Sequence, residues 1–108
     1  MLIVHTSLPS QAAAETLAQQ LIENRLAACV HIGAPIRAYY RWEGEIENAA
    51  EIPLIIKTAP ARYAELEHYL KAHHPYEVPE IVAIPVTQAL PAYYKWVQHE
   101  SDNAPPSP

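Results

Sequence analysis

Basic residues, cysteines and glycines are all scarce in this chain of 108 residues. Seven Lys and Arg stand against twelve Asp and Glu, for a net charge of -5, and the basic residues form no cluster, so a nucleic-acid partner is not expected. The single cysteine excludes an internal disulfide framework and is typical of a reducing compartment. Two glycines are too few to support a glycine-rich loop that cradles phosphates.

Long hydrophobic runs are also missing. No apolar stretch reaches the length of a membrane span, so we expect no membrane partner. The first ten residues, MLIVHTSLPS, lack the basic region and long apolar core of a signal peptide. Together with the single cysteine, these features predict a cytoplasmic protein.

Phenylalanine is absent, whereas tyrosine occurs seven times and tryptophan twice. Tyrosine hydroxyls need water or a partner, so many of these rings are expected to be half-buried at an interface or a cleft. Half of the residues are hydrophobic and 18% are charged, which is typical of one globular domain. A domain this short buries a modest share of its surface, so oligomerisation is a plausible source of stability.

The hydrophobic pattern predicts elements in the order β-α-β-β-α-β, followed by a small helix. Ser10 and Pro60 are placed to begin the two main helices, and Pro75 is placed to end the second. The predicted elements are a strand at 2–7, a helix at 11–26, a strand at 26–42, a returning strand at 52–58, a helix at 58–74, a strand at 80–87 and a helix at 91–98. This order predicts an α+β, ferredoxin-like domain over residues 1–100, with a long central hairpin, two helices on one face of an antiparallel sheet and a short C-terminal helix. Residues 101–108 are predicted to form a flexible tail.

The central hairpin is long for so small a domain. A strand from Leu26 to Trp42 would span roughly 55 Å at about 3.3 Å per residue, whereas a domain of this size is about 35 Å across. Gly33–Pro35 interrupts the alternation, which predicts a kink or bulge there. Because Tyr39, Tyr40 and Trp42 lie near the tip, the hairpin either packs on another subunit or bends back over its own domain.

Signatures of catalysis are weak. Cys29 lies mid-strand among small apolar residues and is interpreted as a buried structural thiol. The chain contains no GxSxG, HExxH or phosphate-loop motif. We therefore predict a protein that is not an enzyme.

The adjacent pair His73–His74 is the strongest metal candidate. The two side chains of an adjacent pair point in different directions, so a copper site would need a further ligand from elsewhere in the fold. His5 is a candidate third ligand, because the first strand of this topology lies beside the last, near the loop that follows His74. Alternatively, His73 continues the apolar stripe of Tyr63, Leu66 and Leu70 and packs, while His74 stabilises the helix end.

The hairpin tip and the start of its returning strand carry four glutamates: Glu43, Glu45, Glu47 and Glu51. They are interpreted as a solvated acidic edge that discourages wrong pairing, with a weak oxygen-ligand cation site as the alternative. Glu51 and Lys57 are six positions apart, so an uninterrupted strand would carry them on one face. There they could bridge a cleft or form an ordinary surface pair.

Five segments in order resemble the CutA family of small divalent-ion tolerance proteins. They are NRLAACVHI, YYRWEGEIE, EIPLIIKT, HHPYEVPEIVAIPVT and YYKWV, and the resemblance covers essentially residues 2–98. It implies a ferredoxin-like fold in a tight homotrimer similar in architecture to the PII signalling proteins, with the hairpin joining strands across subunits.

The resemblance also implies site residues. His73 and His74 match the family's HHPY histidines, which are associated with copper. Some members have a cysteine where this chain has His5; both side chains ligate copper, although thiolate prefers Cu(I) more strongly. The positions that match the family pattern near the intersubunit clefts are Tyr39, Trp42, Glu51, Lys57, Tyr76 and Glu80.

The resulting functional prediction is a cytoplasmic homotrimer that binds copper or another divalent cation weakly and contributes to metal tolerance. The first alternative is a PII-like regulatory trimer whose intersubunit clefts bind a small molecule or a protein. The second is an anchoring module that holds three partners together.

Overall fold

The computed structural model describes residues 1–102. Its elements are β1 (Leu2–Leu8), α1 (Gln11–Glu23), β2 (Cys29–Ile32), β3 (Ile36–Trp42), β4 (Glu45–Thr58), a 3-10 turn (Pro60–Arg62), α2 (Tyr63–His73), β5 (Val82–Pro85) and α3 (Pro91–Glu100). The strand order is β2-β4-β1-β5, every pairing is antiparallel, and β3 pairs with the first half of β4. The predicted α+β fold is confirmed, except that the single strand predicted for 26–42 is two strands.

The first helix begins where the sequence predicts and ends earlier. The Ser10 hydroxyl accepts a hydrogen bond from the Ala13 amide at 3.2 Å, which caps the helix. At the other end Arg25 adopts a left-handed conformation with φ 55°. The amides of Arg25 and Leu26 donate to the carbonyls of Ile22 and Leu21, the bond pattern of a Schellman motif. The helix therefore stops at Glu23 rather than at 26.

The second helix is shorter than predicted at both ends. Pro60 opens a 3-10 turn, and the α-helix follows from Tyr63. His74 is extended, with φ -85° and ψ 136°, because the following Pro75 disfavours helical backbone before it. This change of direction at His74 leads into the segment 75–80, which forms one wall of a cleft beside the hairpin.

One face of the sheet carries the hydrophobic core. Alternate residues of β1 and β4 point toward the helices. Leucines at helical spacing on α1 and α2 pack against them. The fully buried or nearly buried aliphatic residues at this layer include Val4, Leu8, Leu17, Leu21, Leu54, Ile56, Leu66 and Leu70. The intervening residues of β1 and β4, including His5, Ile55 and Lys57, point to the other face and are only half-buried.

The predicted bulge at Gly33–Pro35 is confirmed by the strand register. Ile32 pairs with Leu54 and Ile36 pairs with Glu51, so residues 33–35 oppose only 52–53. At this point the Gly33 amide donates to the Pro53 carbonyl at 2.9 Å. A Cβ at Gly33 would lie 2.8 Å from Cγ of Pro53, so glycine is required by close approach.

The returning strand is twice as long as predicted, because it starts at Glu45 rather than at 52. Glu43 and Gly44 both have positive φ, 51° and 82°, and form the two-residue turn that suits strand twist. Residues 45–51 are acidic and alanine-rich, so their own β-propensity is low. Pairing with the aromatic strand β3 overrides that preference.

The hairpin extends beyond the core. The described chain measures 53 × 27 × 23 Å, longer than the roughly 35 Å expected of a compact domain. Near the tip, Tyr39 and Ile46 are 71% and 72% exposed. The hairpin therefore projects rather than folding back over the sheet.

The packed domain extends to Ser101, the first residue of the predicted tail. Ser101 is fully buried, its hydroxyl donates to the Val97 carbonyl at 2.6 Å, and it accepts from the Ala59 amide at 3.2 Å. Residues 103–108 of the tail predicted for 101–108 lie outside the described residues. No helix within residues 1–102 is both long and apolar enough to cross a membrane.

Candidate functional site

His74 is held between the end of β1 and the following segment. Its Nε2 lies 2.8 Å from the Ser7 carbonyl oxygen, which can only accept, so Nε2 carries the proton. The Thr6 hydroxyl lies 3.3 Å from the same nitrogen. Nδ1 accepts from the Tyr76 amide at 3.2 Å. Both ring nitrogens are therefore engaged, and no lone pair of His74 is free to bind a metal ion.

His73 has a different environment. Its Nδ1 lies 2.9 Å from the Tyr69 carbonyl and therefore carries the proton. The ring stacks on the Tyr69 ring with 3.9 Å between centroids. Nε2 is thus the nitrogen with a lone pair, on an exposed side chain at the end of α2.

His5 does not join the histidine pair. β1 does lie beside β5, as predicted, with His5 opposite Val82. However, Thr6 contacts His74, and successive side chains of a strand point to opposite faces, so His5 points away. Within residues 1–102 the structure contains no group of three His, Cys, Asp or Glu side chains that could hold a metal ion. The three histidines do not fit as a joint ligand set.

The pKa of His74 lies below its usual value of 6.5, chiefly because burial disfavours the charged ring. The Ser7 carbonyl and the Glu51 charge act in the opposite direction and reduce the shift. The unfolded chain therefore binds the proton more readily, so the stability that His74 contributes is complete above 6.5 and is lost as pH falls through its folded pKa.

We expect the unfolding free energy to fall as the pH drops below 6.5, and the His74→Gln variant to show a shallower dependence. Urea denaturation at a series of pH values measures this. His68→Gln, on the exposed side of α2, is the matched control and should keep the wild-type slope. An identical slope in the His74→Gln variant would contradict the assignment.

A cleft of about 640 Å³ lies between the hairpin and the segment 75–80. We call it the hairpin cleft; it is lined by Ser7, Ala38, Tyr40, Trp42, Glu51, Pro75, Tyr76, Glu77, Val78, Pro79 and Glu80. Its volume is in the range of small-ligand sites. The register explains its composition, because Ala38, Tyr40 and Trp42 share one face of β3 and pair with residues on the Glu51 face of β4.

Tyr76 and Glu51 interact inside the hairpin cleft. The pKa of Tyr76 is raised to about 12, first by burial and then by a hydrogen bond from its hydroxyl to the Glu51 carboxylate and by the charge of that carboxylate. Tyr76 is therefore neutral at physiological pH. The two groups face each other from the two walls of the cleft, since Tyr76 comes from the 75–80 segment and Glu51 from β4.

Four of the six predicted cleft residues line the hairpin cleft, and they are Trp42, Glu51, Tyr76 and Glu80. Tyr39 does not, because it lies on the opposite face of β3, and Tyr40 takes the place expected for it. Strand alternation from Trp42 would have selected Tyr40.

Lys57 lies apart from the hairpin cleft. It shares a face of β4 with Glu51, as their spacing predicted, but sits at the far end of the strand. Its Nζ is 3.5 Å from Nδ1 of His31 and 5.7 Å from the centroid of the Tyr93 ring. Lys57 therefore packs between β2 and α3 and does not bridge the cleft.

Comparison with known proteins identifies the family. The family described as CutA1 divalent ion tolerance protein matches residues 2–100. The chain belongs to the CutA1 family. It is 39% identical over 99 residues to the divalent-cation tolerance protein CutA of Thermus thermophilus, covering 92% of this chain and 96% of that one.

CutA1 structures share the fold. The Archaeoglobus fulgidus protein, described as a periplasmic divalent cation tolerance protein CutA, superposes with a TM-score of 0.90 at 38% identity, covering 94% of this chain and 100% of that one. The Xylella fastidiosa CutA structure gives a TM-score of 0.91 at 37% identity, covering 94% and 97% of the two chains. The ferredoxin-like prediction is therefore confirmed, and the chain is a CutA1 divalent-cation tolerance family member.

CutA proteins differ in length. The chain spans 62% of the Xenopus laevis CutA homologue, at 38% identity over 86% of this chain, and 56% of the chloroplastic Arabidopsis thaliana protein. The CutA1 domain is thus the part that these longer relatives share with this chain.

Proposed function

We propose that this CutA1-family protein contributes to tolerance of divalent cations as a homotrimer, by binding and not by catalysis. The family match supports the tolerance role. The projecting hairpin supports an assembly, because its large apolar side chains Ile36, Tyr39, Tyr40, Trp42 and Ile46 are all exposed in the single chain. The edge strand β5 adds exposed Val82 and Ile84. The number of subunits, three, comes from the resemblance to the CutA family, which implies a homotrimer similar in architecture to the PII proteins.

We propose a cytoplasmic location, supported by the single cysteine. The Archaeoglobus fulgidus relative is described as periplasmic, so the compartment needs its own test. Fractionation of cells with an antibody against the native chain provides it.

Direct metal contact is proposed to be weak and to centre on His73. Of the two histidines, only His73 has a ring nitrogen, Nε2, with a free lone pair. His74 can ligate copper or another divalent ion only after losing the hydrogen bond from the Tyr76 amide. A single exposed imidazole binds such ions with little selectivity. Metal binding is therefore not expected to contribute to the stability of the fold.

A copper titration distinguishes the two histidines. We expect His73→Ala to weaken Cu²⁺ binding by at least about tenfold, because it removes the available nitrogen. His74→Ala should retain binding and lose stability, since it removes the bonds to Ser7 and Tyr76. Isothermal titration calorimetry gives the affinities and urea denaturation gives the stability.

His68→Ala is the matched control for nonspecific imidazole binding, because His68 is exposed on the same helix. Equal weakening of copper binding by His73→Ala and His74→Ala would show that the pair ligates jointly. That result would overturn the single-histidine assignment.

The second candidate function is binding of a small ligand in the hairpin cleft, in the manner of a PII-like regulator. The cleft volume of about 640 Å³ and its lining by aromatic and acidic side chains from two facing segments favour this candidate. A thermal-shift screen with small molecules tests it. This function is compatible with a role in cation tolerance, because the segment 75–80 that forms one wall of the cleft directly follows His73 and His74 in the chain.

A further inference from the structure

The charge of the hairpin cleft has one sign. Among the described residues 1–102, three carboxylates line it, those of Glu51, Glu77 and Glu80, and its lining includes no Lys or Arg. Anionic ligands such as nucleotides and phosphates would meet these carboxylates without a compensating cation. The cleft is therefore not suited to nucleotides, phosphates or other anionic ligands.

Aromatic rings make up much of the rest of the wall. Tyr40 and Trp42 come from β3, where they are 46% and 40% exposed, and Tyr76 comes from the facing segment. The faces of such rings attract cations, and tryptophan does so most strongly. A positive group that enters the cleft thus meets both π faces and carboxylates.

A bare metal ion does not match this arrangement. A divalent ion needs several ligands converging on one point, and within residues 1–102 no such group of three acidic, histidine or cysteine side chains occurs. An organic cation carries its charge on a larger body. It can contact rings and carboxylates that lie on different walls of the cleft.

We propose that the hairpin cleft binds a small organic cation whose amine or quaternary ammonium group lies among Tyr40, Trp42 and Tyr76, with its charge balanced by Glu51 and Glu80. This inference rests on the second candidate function and names the class of ligand. The lining of the cleft supports it, because Tyr76 and Glu51 come from facing walls and so place a ring near a carboxylate before the ligand arrives. Pro75 and Pro79 restrict the backbone of the same wall.

The test is a titration of the full chain with putrescine and with tetramethylammonium, followed by calorimetry and by amide NMR shifts. Butanol, a neutral molecule of similar size to putrescine, and inorganic phosphate are the comparison probes. We expect the two cations to bind, with shifts at Glu51, Tyr76 and Glu80. We expect no saturable shift from butanol or phosphate. Added salt should weaken the binding.

Glu51→Gln removes the charge while keeping an oxygen that can accept from Tyr76. It should weaken binding of putrescine by about tenfold. Glu15→Gln, on the exposed side of α1, makes the same change in net charge away from the cleft and should bind as the wild type does. Tyr40→Leu, at an exposed position, should weaken tetramethylammonium binding roughly threefold.

The outcomes separate the two levels of the proposal. Saturable cleft binding of butanol or phosphate without binding of either cation would overturn the organic-cation inference and leave the cleft-ligand function standing. Equal weakening by Glu51→Gln and Glu15→Gln would show that net charge, not the cleft, attracts the cations. Absence of cleft shifts with every probe would overturn both.

Discussion

Trp42→Asp is expected to dissociate the proposed homotrimer into single chains. Trp42 ends β3, next to the hairpin turn, and is 40% exposed in the isolated chain. If the hairpin packs against another copy, the hairpin cleft adjoins that contact, and a carboxylate in place of the part of Trp42 that reaches the contact would be desolvated without a partner, which costs several kcal/mol. Sedimentation equilibrium should then change from about three times 12.1 kDa to a mass near 12.1 kDa.

The chain offers a matched control for that experiment. Trp96 lies on α3, outside the hairpin, and is 45% exposed, so Trp96→Asp makes the same chemical change at similar exposure. We expect the Trp96→Asp protein to remain assembled. A Trp42→Asp protein with wild-type mass and wild-type unfolding would contradict intersubunit packing of the hairpin. A wild-type protein that is a lone chain at low concentration would contradict the homotrimer itself.

Leu54→Ala is expected to lower the free energy of unfolding by about 3 kcal/mol. Leu54 is fully buried on β4, the strand that pairs with β1, β2 and β3. It lies opposite Thr6 on one side and Ile32 on the other, so the cavity left by truncation is walled by paired strands that cannot easily collapse. Urea denaturation at one fixed protein concentration measures the change, since assembly couples stability to concentration.

Leu90→Ala is the control for the core prediction. Leu90 precedes α3 and is 71% exposed, so the same truncation removes little buried surface there. We expect a change within about 0.5 kcal/mol. Similar losses in the two variants would mean that Leu54 contributes no more than an exposed leucine, which would contradict its place in the core.

The order and type of the elements were predictable because they depend on local patterns. The leucine spacing of α1, the cap at Ser10 and the stop before Pro75 are all properties of short segments. The bulge at Gly33–Pro35 was predictable for the same reason. The length of β4 was not, because residues 45–51 become a strand through their pairing with β3 and not through their own propensity.

The site was predictable only in part. Trp42, Glu51, Tyr76 and Glu80 line one cleft as a set, whereas Tyr39 and Lys57 lie elsewhere. Choosing Tyr40 over Tyr39 required knowing which residues of β3 share a face with Trp42. Strand alternation gives this, because Tyr40 is two residues from Trp42 and Tyr39 is three. Excluding Lys57 required knowing that the cleft lies beside the hairpin, away from the Lys57 end of β4, which no local pattern gives.

The sequence by itself determined the order and type of the helices and strands, but not the strand at 45–51, and it determined which residue types could meet a cation. Whether those residues are available was decided by tertiary structure alone. His73 and His74 are neighbours in the chain, yet one keeps a free nitrogen and the other does not. The reason is that the hydrogen-bond partners of His74, the Ser7 carbonyl and the Tyr76 amide, come from two segments that meet only when β1 and the 75–80 segment pack together.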